Sequence, residues 1–164
     1  MQLYKSQSMD SKLRIIESHQ QLYENSCPSM AVELVLKLHN QVPGSYRKIQ
    51  DSYKNKNVGY GPFRNRWIRR LWFYEQGFDS PFAGLSNLLE KELSSARFPI
   101  MSLYSGEEIR NGKRYIFFHE WVVVQRSGND FRATSKHFRQ TIWTDVLPAL
   151  QKGNHTNLLL YKLV

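Results

Sequence analysis

Cysteine is nearly absent: Cys27 is the only one in 164 residues. No internal disulfide is open to the chain, which excludes a secreted disulfide scaffold and any multi-cysteine zinc site. Long apolar runs are missing too. No stretch approaches the length of a membrane span, and Met1 to Gln20 hold no apolar core of the kind a signal peptide carries. A soluble, cytoplasmic protein with a free thiol is therefore expected, although export without a cleavable signal would leave no mark. Internal repeats, low-complexity tracts and linkers are also lacking, so one domain is expected over residues 1–164. With 41% hydrophobic and 13% aromatic residues, such a domain fills one core without help from a metal, and no cofactor is expected.

Acids are scarce. Fourteen Asp and Glu stand against 23 Lys and Arg, a net charge of +9. The excess is concentrated between Arg47 and Arg70, where Arg47, Lys48, Lys54, Lys56, Arg64, Arg66, Arg69 and Arg70 face one acid, Asp51. Tyr46, Tyr53, Tyr60 and Trp67 are interleaved with them. Bases mixed with aromatics bind phosphates and stack on nucleobases, so this segment is a candidate for nucleic acid or an acidic partner; a solvated face of a basic protein is the plainer alternative.

What is present divides the chain in two. Met30, Leu34 and Leu38 recur at helical spacing, widened by Ala31 and Val35, and predict a helix from Pro28 to about Asn40. Glu33 and Lys37 read as its exposed i,i+4 pair, and Pro28 suits a first helical turn. A shorter helix is expected from Ser45 to Lys56, broken at Gly59 to Pro62. A third is expected from Asn65 to Gln76 with Gly77 at its C-terminal cap, and a fourth from Asn87 to Ser94, capped by Ser86. Strands follow: Phe98 to Tyr104, a polar connection Ser105 to Lys113, Arg114 to Gln125, a turn at Ser127 to Asn129, and Asp130 to Thr134. A short helix from Asp145 to Gln151 and a closing strand from Thr156 to Leu163 complete the pattern. Helices first and an antiparallel sheet second make an α+β domain.

Cys27 immediately precedes the first of these helices. A sulfur there meets unpaired backbone N–H groups and the positive end of the helix dipole, which favours the nucleophilic thiolate; the alternative is a small buried hydrophobe. Among the five histidines, His39 falls at a helix end, His155 in a loop and His19 in a polar leader. His119 stands out, in Phe117-Phe118-His119-Glu120-Trp121 leading into Val122-Val123-Val124. A histidine there is either a satisfied core residue or a catalytic base.

Taken in order, Gln21, then Cys27 at a helix start, then His119 on a valine-rich late strand, the pattern resembles papain-like cysteine peptidases. It is most similar to the bacteriocin-leader (double-glycine) processing peptidases. The likeness runs from about Gln21 to the C-terminus and is thin between Tyr46 and Phe82. It implies a papain-like α+β fold in which the nucleophile helix packs on the antiparallel sheet. It also implies a cysteine hydrolase of peptide or amide bonds acting on a peptide or protein substrate. In that scheme Cys27 attacks the carbonyl, His119 takes and returns the proton, and the Gln21 side chain, rather than Gln20, completes the oxyanion hole.

Two features depart from the family. Pro28 follows the cysteine where glycine is usual. The window after the histidine that carries an Asp or Asn reads Ala133-Thr134-Ser135-Lys136, leaving Ser135 as the residue expected to hold the imidazole. A Cys–His dyad, an acyltransferase or deamidase with the same thioester chemistry, and a papain-fold binding module without turnover all remain open.

Overall fold

The computed structural model describes residues 9–54, 56, 58–74, 82–153 and 158–164. Expectations for Gln76, Gly77, His155 and Thr156 fall outside the described residues. Helix α1 (Met9–Ser18) leads into α2 (Cys27–Leu38) and a single-turn α3 (Lys48–Ser52). Strand β1 (Ile68–Tyr74) and helix α4 (Phe82–Ser94) come next. Four strands then run in succession: β2 (Ile100–Arg110), β3 (Lys113–Ser127), β4 (Asp130–His137) and β5 (Gln140–Asp145). Helix α5 (Val146–Gly153) and strand β6 (Leu158–Leu163) complete the described chain. The strands form a six-stranded sheet in the order β1-β6-β2-β3-β4-β5, antiparallel at every named pairing. The expected α+β class is observed. No helix among the described residues is long and apolar enough to cross a membrane.

Each face of the sheet covers its own core, as strand alternation requires. On one face Ile100, Val122, Val124 and Tyr161 pack with Ile16 of α1 and with Val32, Leu34, Val35 and Leu36 of α2. On the other, Met101, Leu103, Trp121, Val123 and Leu160 pack with Leu85 and Leu89 of α4 and Val146 and Leu150 of α5. Successive residues of β3 therefore look in opposite directions, one toward α2 and the next toward α4 and α5.

Five expectations change, the first being the fourth helix, which begins at Phe82 and holds Ser86 inside it and not at its N-cap. The helix expected from Asn65 is a strand: Ile68 to Tyr74 pair with Leu163 to Leu158, and the register slips between Arg70 and Trp72. Arg69 and Arg70 just before the slip are both exposed, and the two together hide the two-residue period of a strand. The connection expected at Ser105 to Lys113 is mostly strand, because the reversal needs only Asn111 (φ 51°) and Gly112 (φ 76°), the pair of left-handed residues that a two-residue hairpin turn demands. The polar leader is the helix α1, and His19 just after it is 1% exposed. Glu33 and Lys37 are buried, not an exposed pair: Glu33 accepts from the Gln50 backbone N–H and side-chain amide at 2.9 and 2.8 Å. Lys37 Nζ lies 2.9 Å from His19 Nδ1.

Candidate functional site

The approach to Cys27 is a tight turn held by side chains. Gln21 is buried, and its amide nitrogen donates to the Tyr23 and Glu24 carbonyls at 3.0 and 3.1 Å. Ser26, at the N-cap of α2, makes no side-chain bond to the helix; its hydroxyl sits 2.7 Å from the Tyr23 carbonyl and 2.9 Å from Gln50 Oε1. Gln50 in turn donates to the Gln20 carbonyl at 2.9 Å. Cys27 is thus fixed as the first residue of α2, as the sequence implies, with Pro28 in the first turn.

The structure brings Gln21 to Cys27 but does not bring His119. Glu120 and Val122 share the face of β3 that looks toward α2, whereas His119 belongs with Trp121 and Leu103 on the other. The His119 ring meets Trp121 edge-on at 5.9 Å, and Leu103 is its cross-strand partner. Its Nε2–H donates to the Lys136 carbonyl at 3.0 Å. Burial lowers its pKa, opposed by that carbonyl and aided by His137. Ser135 does not hold the imidazole: its hydroxyl donates to the Glu120 carbonyl at 2.6 Å.

The side chain that β3 turns toward Cys27 is Glu120. Its carboxylate accepts from the Tyr60 hydroxyl and from Ser102 Oγ at 3.3 Å, Ser102 being its partner across β2. Tyr60 comes from the loop before a 3-10 turn at Gly61–Phe63 and stacks against Tyr161 at 4.6 Å. Burial pushes the Glu120 carboxyl up to about 7 despite these two donors. It drives Tyr60 higher still, with the charge of Glu120 adding to the effect.

Cys27 answers to the same surroundings. Burial first and the Glu120 charge second push its thiol up to about 11, outweighing the Gln21 amide and the backbone N–H that favour the thiolate. The thiolate expected at a helix start is therefore disfavoured, first because the sulfur is buried and second because an acid faces it where a base is needed. The Gln21 amide already serves the Tyr23–Glu24 turn, and Gln21 Oε1 is buried without a hydrogen-bond partner.

Reading residues in sequence missed Glu120, Tyr60 and Ser102. The signal for Glu120 was present: counting back in twos from Val122 and Val124, which pack beneath α2, arrives at Glu120 and not at His119. No group of three or more His, Cys, Asp or Glu among the described residues stands close enough to hold a metal. Of the segment between Arg47 and Arg70, Lys48, Lys54, Lys56, Arg64, Arg66 and Arg69 are exposed, while Arg47 pairs with Asp51 at 2.9 Å and Arg66 lies over the Trp67 ring at 5.3 Å. Compared with family models, with curated proteins and with solved structures, the chain matches none.

Proposed function

We propose that this chain is a binding module on a papain-like plan, in which Cys27 does not turn over substrate. One observation carries the reading: the residue of β3 that faces Cys27 is Glu120, and His119 lies on the opposite side of the sheet. A carboxylate beside a buried thiol raises its pKa, so the pair stores a proton instead of generating a nucleophile. The cysteine at the head of a helix laid across an antiparallel sheet supports the papain-like plan. The exposed bases between Lys48 and Arg69 suit an acidic partner, held by contacts that weaken steeply with salt.

Alkylation of Cys27 by iodoacetamide tests this. A thiol at about 11 instead of 9.0 has roughly a hundredfold less thiolate at pH 7.5, and its greater intrinsic nucleophilicity restores roughly tenfold. Labelling about tenfold slower than free cysteine is expected, still rising beyond pH 9. Labelling faster than free cysteine at neutral pH would sink the reading.

A second reading is favoured by the Glu120 carboxyl itself, held near 7, where a general base works best. Cys27 would then attack a peptide or amide carbonyl with Glu120 taking the thiol proton and passing it to the amine as the C–N bond breaks, and water or another acceptor would resolve the thioester. The two readings part on Glu120→Gln. Faster alkylation in the variant supports the binding module; loss of an inflection near pH 7 together with loss of reactivity supports the hydrolase or its transferase and deamidase relatives.

A further inference from the structure

Away from Cys27, on the flank of the sheet where β1 meets β6, lies a cleft of about 260 Å³ lined by His39, Arg69, Arg97, Lys162 and Val164 among others. Its charge is one-sided. Arg69 on β1 and Lys162 on β6 are directly opposite each other across the strand pair, an arrangement of like charges that destabilises a sheet unless something negative lies between them. The acid at hand is Glu92, 2% exposed, which accepts from Nε of Arg97 and from Nη2 at 3.1 Å and stands 4.0 Å from Lys162. Glu92 thus offsets one of three cations and, more usefully, fixes two of them in place.

The arm that carries Arg97 is equally constrained. Ala96 adopts a left-handed φ of 56°, and the Arg97 N–H closes back on the Glu92 carbonyl at 2.9 Å, so α4 ends in a turn that delivers the guanidinium to the cleft. His39, at the C-cap of α2, forms another wall and rests edge-on against Phe98 at 5.3 Å. Burial, with the Arg97 charge, holds its ring neutral with a pKa of about 4. Val164 also lines the cleft, and any carboxylate it carries there would offset one more cation and still leave a positive site.

We propose that this cleft binds a phosphate monoester, its dianionic head held between Arg69 and Lys162 with Arg97 reaching in from the end of α4. Two or three converging cations match a dianion better than a single carboxylate, and the planar fork of arginine pairs with tetrahedral phosphate oxygens. The volume lies just below the usual range for small-molecule pockets, which admits a phosphate with a short organic remainder and not an extended chain. The site is independent of what Cys27 does; it shares Arg69 with the exposed bases named above, whereas Arg97 and Lys162 lie outside that segment.

Titration of the full chain with glycerol phosphate, followed by calorimetry and by the His39 ring signals, tests the proposal. Saturable binding is expected, with the His39 resonances moving as the site fills. Arg69→Gln and Lys162→Gln should each weaken it by tenfold or more. Arg69 is exposed, and its removal relieves like-charge repulsion, so R69Q should melt no lower than the parent and its loss of binding cannot be ascribed to unfolding. A short DNA oligomer with a 5′-phosphate, set against its 5′-hydroxyl twin, separates two sources of the same chemistry. Preference for the phosphorylated end, lost in both variants, identifies a nucleic-acid terminus; binding of glycerol phosphate alone identifies a small metabolite. Both support the site. Absence of saturable glycerol phosphate binding combined with equal affinity for the two oligomers overturns it, and so does binding that neither substitution changes.

Discussion

The Tyr60 hydroxyl donates to Glu120 Oε2 within range of the Cys27 thiol, so three groups that each ionise with difficulty share one buried space. Their pKa values move upward together, because burial penalises the charged form of each and the Glu120 charge adds to that cost at Tyr60 and Cys27. The stable state near neutral pH holds a protonated thiol and a protonated phenol, with a carboxyl half ionised.

Glu120→Gln should therefore stabilise the protein more at pH 8 than at pH 5. The folded state holds the Glu120 proton up to about pH 7, against 4.5 for a solvated glutamate side chain. The stability this contributes is complete below pH 4.5 and is lost as pH rises through 7. The difference between parent and variant should grow by on the order of 3 kcal/mol over that window. Glu33, raised by burial as well, is present in both proteins and cancels. Urea denaturation at pH 5 and pH 8 makes the comparison.

His119→Ala should leave the alkylation rate of Cys27 unchanged within twofold, because the ring lies on the other face with Trp121 and the Lys136 carbonyl. The cost is to stability instead, about 1–2 kcal/mol for a lost hydrogen bond and ring contact. A drop in Cys27 reactivity of tenfold or more would return His119 to the site.

Lys136→Met tests a buried lysine that ties α1 to the sheet. Its ammonium is fully buried and donates to the Ile16 and Glu17 carbonyls at 3.1 and 3.4 Å and to Thr141 Oγ1 at 2.6 Å. Methionine fills the space but leaves those acceptors unpaired, at a cost of about 1–3 kcal/mol. Limited proteolysis should then cut first around α1, ahead of any cut in α2.

His19 and Lys37 fix one another's proton. The His19 Nε2–H donates to the Met30 carbonyl at 2.9 Å, so Nδ1 accepts from Lys37. Burial, with the charge of Lys37, pushes the His19 pKa down to about 3. Nitrogen NMR should find the ring neutral, protonated at Nε2, at pH 5. Lys37→Met should raise that pKa and cost about 1–3 kcal/mol by stranding Nδ1.

These particulars show what the sequence could and could not convey. The stripe from Met30 to Leu38 is a strong helical period, and α2 was legible with Cys27 at its start. The hairpin turn after Ser127 and the β-branched run of β3 were equally plain. Glu33 and Lys37 were misread because an i,i+4 ion pair looks alike on a wet face and on a buried one; what separates them is Gln50 and His19, brought up from elsewhere in the chain. Strand β1 was lost to its bulge, and its pairing partner lies some ninety residues away, beyond any local signal. The site failed by a single residue. His119 and Glu120 share the same aromatic run, and residue type favoured the histidine, whereas the face is set by register against α2, which composition does not record.

The strand order has a consequence for how the chain is made. Strand β6 lies between β1 and β2, so a strand that follows all the other described strands in sequence is inserted into the interior of the sheet and not added to its rim. Until residues 158–163 emerge from the ribosome, β1 lacks the one strand it pairs with among the described residues. Synthesis proceeds far more slowly than local structure forms, so the interval is long on the scale of collapse. The nascent protein must cross it with β2 to β5 already able to pair and with the β2 edge still open, a state in which chaperone contact and edge-to-edge association compete with completion.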